Sequence, residues 1–131
     1  MAEAQTDARI EVEAVDFVSV LTQDISRAKQ FYGEALGLPI ETEGENDLEF
    51  TLGQVTLDVF DPSSSGQPFA PSPAGIAIRV PDVAEARAAL EAKGIEFDGE
   101  IVDSGVCQFA FFQDPDGNRL MLHRRYAPRE S

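Results

Sequence analysis

His123, the chain's only histidine, ends the alternating run Leu120-Met121-Leu122-His123, and Asp58 sits in another such run, Val55 to Phe60. An imidazole and a carboxylate brought together could move a proton, or with waters could hold a divalent ion. Cys107 could act as a nucleophile if His123 faced it, although a single cysteine in an apolar strand has the character of a small core residue. Arg79 is a natural counter-ion for Asp58, because a buried carboxylate needs a partner to stay charged. Glu49 could serve as a cavity base, but solvation at a strand edge explains it equally well. There is no Gly-rich phosphate loop and no Cys-x-x-Cys pair. The residue types therefore leave the catalytic assignment unknown.

Bulk properties narrow the partners. A chain of 131 residues, 43% of them hydrophobic, is expected to form one domain with a real core. The net charge of −14 argues against nucleic acid, since phosphate binding needs clustered Lys and Arg. It reads as a strongly solvated acidic surface, or as an acidic mouth for a cationic ligand. The apolar runs are too short to span a membrane. The absence of a signal-like N-terminus and the single cysteine point to a reducing, cytoplasmic setting.

An internal repeat shows how these residues are positioned. Phe17 to Ala28 matches Gly75 to Ala86 at an offset of 58 residues, each an alternating strand, an aspartate and a helical pattern. Asp24 and Asp82 are expected N-caps. Ile25, Ala28, Phe31, Tyr32, Ala35 and Leu36 share one helical face that stops at Gly37. Val83, Ala86, Ala89 and Leu90 share another that stops at Gly94. Three further strands follow each helix, near 39–44, 47–52 and 54–60, then near 95–101, 106–113 and 118–124. The result is an α+β chain of two tandem βαβββ modules. We expect a flexible leader over 1–11, a single domain over 12–126 and a tail over 127–131. Within the domain, module one covers about 12–60, a linker 61–74 and module two about 75–126. The linker, with four prolines, is expected to be an extended connector rather than a flap over a ligand.

Strand parity separates a helix-packing face from a cavity face. Val18 and Val20, Val55, Leu57 and Val59, Ile76, Ile78 and Val80, and Leu120 and Leu122 mark the first. Phe17, Ser19 and Leu21, Thr56, Asp58 and Phe60, Gly75, Ala77 and Arg79, and Met121 and His123 then mark the second. Strand 106–113 is apolar on both parities, so Cys107 and Gln108 are not oriented.

Asp114-Pro115-Asp116-Gly117-Asn118 is a turn with a mechanism. Pro115 presets φ, Asp116 and Asn118 are expected to bond nearby backbone, and Gly117 supplies a positive φ. Taken with the strand-to-helix junction at Gln23-Asp24 and the helix Arg27 to Leu38 (RAKQFYGEALGL), this hairpin resembles the vicinal-oxygen-chelate superfamily. That group holds glyoxalase I, extradiol dioxygenases, fosfomycin-resistance enzymes and bleomycin-binding proteins, and the likeness spans about residues 13–126. The resemblance implies a concave sheet with helices on its outer face, and four metal-ligand positions that map to Phe17, Asp58, Gly75 and Met121. Three of these cannot hold a hard or borderline cation.

The expectation is therefore no metal and no cofactor. The chain would be a small-molecule-binding protein similar to the bleomycin-binding branch, with Phe17, Ser19, Leu21, Asp58, Phe60, Arg79, Met121 and His123 around an aromatic or cationic ligand. The resemblance also implies a homodimer. The alternative is a lyase, isomerase or dioxygenase with a rearranged metal site, for which an Asp58–His123 pair is the candidate.

Overall fold

The computed structural model describes residues 9–129. Residues 1–8 of the expected leader and 130–131 of the expected tail lie outside them. From residue 9 to Asp16 the chain has no regular structure and is exposed.

Module one runs β1 (Phe17–Leu21), α1 (Ile25–Ala28), a π-helical continuation (Lys29–Ala35), β2 (Ile40–Glu43), β3 (Asp47–Leu52) and β4 (Val55–Phe60). Module two repeats the order with β5 (Ile76–Arg79), α2 (Val83–Glu91), β6 (Phe97–Asp103), β7 (Cys107–Gln113) and β8 (Arg119–Arg125). Each module makes its own four-stranded sheet, in the orders β1-β4-β3-β2 and β5-β8-β7-β6. In both, the first strand lies parallel to the last, as the intervening helix requires.

The helix signals act as expected. Asp24 accepts from the Arg27 amide and Asp82 from the Glu85 amide, each closing an open first turn. Gly37 and Gly94 follow the helices with positive φ. The first helix differs from a uniform α-helix, because its second part widens until the Leu36 amide reaches the Phe31 carbonyl. Phe31 and Tyr32, adjacent in sequence, are both buried there.

One apolar core joins the modules. Val20, Leu48, Phe50, Leu57 and Val59 from the first sheet meet Ala110, Phe112, Leu120 and Leu122 from the second, with Phe31, Tyr32, Val83 and Leu90 from the helices. The Phe31 and Phe112 rings lie 6.3 Å apart across the boundary. Parity is as read from the sequence, and it now orients strand β7. Ala110 and Phe112 are core, so Gln108 shares their side, while Cys107, Phe109 and Phe111 are on the opposite face.

The linker is less extended than expected. Asp61 caps a 3-10 turn, Pro62–Ser65, which ends at left-handed Gly66. Further along, the Ser72 amide donates to Asn118 Oδ1 and its carbonyl accepts from the Arg119 amide. Two hydrogen bonds thus pin the connector to the second-module hairpin.

Candidate functional site

The DPDGN loop bonds differently from expectation. Asp114, not Asp116 or Asn118, satisfies the local turn: its Oδ1 accepts from the amides of Asp116 and Asn118. The loop's other side chains are then available for distant partners. Asp116 accepts from the Thr22 hydroxyl at 2.6 Å, the Gln23 amide at 2.9 Å and the Arg27 guanidinium at 2.8 Å. Asn118, fully buried, donates to the Leu21 carbonyl and to Asp114 Oδ2. This loop clasps module two to the β1–α1 junction of module one, so its chemistry is structural.

On the face of the first sheet away from the core, the parallel register sets Ser19 beside Asp58, and the Ser19 hydroxyl donates to the carboxylate at 3.1 Å. The antiparallel pairing brings Glu49 opposite Asp58 and Asp47 opposite Phe60. Carboxylate oxygens of Asp47, Glu49 and Asp58 all lie within 4.8 Å of one another. Burial, followed by the charges of Asp47 and Glu49, raises the Asp58 pKa against the opposing Ser19 hydrogen bond. Glu41 adds a fourth acid, accepting from Thr51 and Thr56. Phe17, 58% exposed, flanks this acidic patch, with Leu21 and Phe60 half-buried nearby on the same strands.

The corresponding face of the second sheet has the opposite character. Arg79 pairs in register with His123, and Ala77 with Met121. Phe109 lies across from His123 and Phe111 across from Met121. The Phe109 and Phe111 rings stack at 6.1 Å, and His123 meets Phe109 edge-on at 5.1 Å. Cys107 is half-buried beside this row, paired with Arg125 rather than His123, which gives the nucleophile reading no geometric support.

The eight residues expected around one cavity therefore fall into two groups. Phe17, Ser19, Leu21, Asp58 and Phe60 share the first sheet; Arg79, Met121 and His123 share the second. The expected Asp58–Arg79 ion pair is corrected: among the described residues Asp58 has Ser19 and two carboxylates as neighbours, and Arg79 appears in no salt bridge. Phe109 and Phe111 were missed in the sequence. Counting outward from the hairpin, Gln113 to Arg119 and so on, would have found them.

The four metal-ligand positions that the resemblance implies do not together fit an ion. Phe17 offers no ligand atom. Gly75 has φ +77°, where an L side chain is strained, and a Cβ built there would stand 3.2 Å from the Met121 methyl, which would have to shift by a few tenths of an ångström. Among the described residues, the group of three potential ligands is Asp47, Glu49 and Asp58, without His123.

A family model described as the Glyoxalase/Bleomycin resistance protein/Dioxygenase superfamily matches residues 14–122. No curated protein matches the chain. Among solved structures, TnmS3, an antibiotic-binding protein from Streptomyces sp. CB03234, is similar at 26% identity and a TM-score of 0.73, over 89% of this chain and 99% of that one. A glyoxalase/bleomycin resistance protein from the same organism has 27% identity and a TM-score of 0.69, over 85% and 100%. A lactoylglutathione lyase from Agrobacterium tumefaciens shares the fold at 20% identity and a TM-score of 0.75, over 86% and 94%. No described helix is long and apolar enough to cross a membrane.

Proposed function

This chain belongs to the glyoxalase/bleomycin resistance protein/dioxygenase superfamily, and from that premise we propose that it is a metal-free small-molecule-binding protein of the sequestering type. The ligand is aromatic or amphipathic and lies on the open sheet faces. The Gly75–Met121 contact carries the reading, because neither residue offers a ligand atom for a hard cation and the thioether methyl lies against the open side of Gly75. Likeness to an antibiotic-binding protein is consistent with it. So is the wall chemistry, apolar and aromatic with a few polar groups, as in small-ligand sites generally.

In this reading a second copy completes the site, and the protein is a cytoplasmic homodimer. Phe17 at the start of β1 and Val15 just before it expose large apolar side chains, and Ile10 and Val12 do so further back along the chain. Strands β1 and β5 each stand at the end of a sheet. Exposed apolar side chains and open strand edges are surfaces that association covers.

A lyase, isomerase or dioxygenase with a rearranged metal site is the second reading, favoured by the Asp47–Glu49–Asp58 group alone. Thermal shift against a panel of aromatic compounds tests the first, since a ligand specific for the native state raises the melting temperature. Elemental analysis of protein purified without chelators tests the second. Well under one equivalent of zinc, nickel, manganese or iron is expected; a stoichiometric metal lost in Asp58→Ala would replace the first reading with the second.

A further inference from the structure

We propose that the open face of the second sheet selects aromatic anions: planar carboxylates, sulfonates or phosphate esters. The inference rests on the small-molecule reading above and names the ligand class for one of its two faces.

The first observation is the distribution of charge. The chain has only 10 Lys and Arg against 24 Asp and Glu. Four of those ten, Arg79, Arg125 and Arg129 with Arg124 from the opposite strand parity, line a single cavity of about 350 Å³ together with the only histidine. The described salt bridges, Arg27–Asp116, Lys29–Glu43, Arg87–Glu91 and Arg119–Asp98, involve none of the four. Like charges gathered within a Debye length repel one another and raise the free energy of the folded chain, and a bound anion relieves that. In a protein this acidic, a basic pocket does not serve solubility.

The second observation is that one guanidinium is already oriented. Arg125 donates through Nε to the Ala127 carbonyl at 2.9 Å and through a terminal nitrogen to the Pro128 carbonyl at 3.2 Å. Carbonyls fix its position without neutralising it. A pre-positioned fork of donors loses little entropy on binding a carboxylate or phosphate.

The third observation specifies the rest of the ligand. Phe109 and Phe111 form a stacked pair next to His123 and opposite Met121, on the same sheet face as Arg79 and Arg125. A flat ring rests on these side chains while its acidic group reaches the arginines, a division of labour common in small-ligand sites. The first sheet, with Asp47, Glu49 and Asp58, repels the same molecule, so its position on the protein is polarised.

Three probes of one shape and different charge test this: 2-naphthoate, 2-naphthalenemethanol and 2-naphthylmethylammonium. Because the chain has no tryptophan, naphthalene fluorescence is read without that background. Naphthoate is expected to bind at least about tenfold tighter than the other two, and Arg79→Gln to weaken it about tenfold while changing naphthalenemethanol less than about twofold. Arg79→Lys should keep most of the affinity. Arg79 is exposed, so these variants fold.

Equal affinity for the alcohol and the carboxylate would overturn the anion assignment and leave the small-molecule reading standing. No binding of any probe would remove both. Unchanged naphthoate affinity in Arg79→Gln, with a weakened dimer in sedimentation, would assign the arginines to the acidic face of a second copy instead.

Discussion

Tyr32 and Asp114, 82 residues apart in sequence, meet in the core, where the phenol donates to the carboxylate at 2.5 Å. The tyrosine belongs to the first module's helix and the aspartate to the second module's loop. Burial, followed by the negative charge of Asp114, drives the phenol's pKa far above its ordinary value, so it remains a donor at every physiological pH. Asp114 also accepts from two backbone amides and from Asn118 Nδ2.

Tyr32→Phe removes the donor and little else. We expect a loss of about 1–3 kcal/mol in urea unfolding, the range for a buried hydrogen bond to a charged group. The m-value should not change, because the core packing of the ring is retained. A Tyr32→Phe protein as stable as the parent would mean that the contact contributes nothing net.

Asp116→Ala and Arg27→Ala separate the two ends of one contact. The Asp116 side chain is 1% exposed and the Arg27 side chain 44%. Removing the buried acid takes the acceptor from the Gln23 amide, leaves the Thr22 hydroxyl with only the Asp24 carbonyl and frees the Arg27 guanidinium, and should cost about 3 kcal/mol. Removing the half-exposed arginine should cost under about 1 kcal/mol. Similar losses in the two variants would contradict the clasp.

The raised Asp58 pKa has a definite sign in stability. A folded-state value above the unfolded one contributes stability at low pH that is lost as pH rises through the folded value, a window beginning near the ordinary aspartate value of about 4. Asp58→Asn should therefore raise the melting temperature at pH 7 and flatten its decline over that window. A lower melting temperature at pH 7 would mean that the carboxylate is stabilised by its surroundings.

Phe17→Ala distinguishes a binding wall from a core. A core phenylalanine costs about 3–5 kcal/mol on truncation. With 58% of Phe17 in solvent, the expected loss in folding stability is under about 1 kcal/mol. Ligand affinity should fall by about 1–3 kcal/mol through lost contact. Equal ligand affinity in the two proteins would remove Phe17 from the site.

Met121→Glu restores one ligand type at its mapped position and should not create tight metal binding, because Phe17 and Gly75 still contribute nothing and the ion remains mostly hydrated. Titration calorimetry with zinc and nickel reads this directly. A submicromolar site in the variant would show that the remaining carboxylates suffice.

The fold was legible because its signals are local and repeated: aspartate caps, glycine stops and alternation that survives on both sheets. Cavity parity was legible for the same reason. The grouping of the site was not, because alternation says which face a side chain is on and not which sheet faces which. Arg79 and Asp58 satisfy the same pattern on separate sheets. Strand β7 was ambiguous because both its faces are apolar, one for the core and one for the open side. The clasp escaped notice because Asp116 and Asn118 are also ordinary turn residues, and nothing in their spacing reveals partners at Thr22 and Leu21.

The two modules are not interchangeable halves. In the first, only Gly53 and Gln54 separate the last two strands. In the second, Asp114 to Asn118 occupy the same place. A chain assembled from two copies of the first half would keep an apolar seam but lack the hydrogen-bonded loop that fastens it. The polar part of the joint is concentrated in a single loop, while the strands contribute to it through their core-facing side chains. Their outward side chains take no part in that joint and can be exchanged for new chemistry without loosening it.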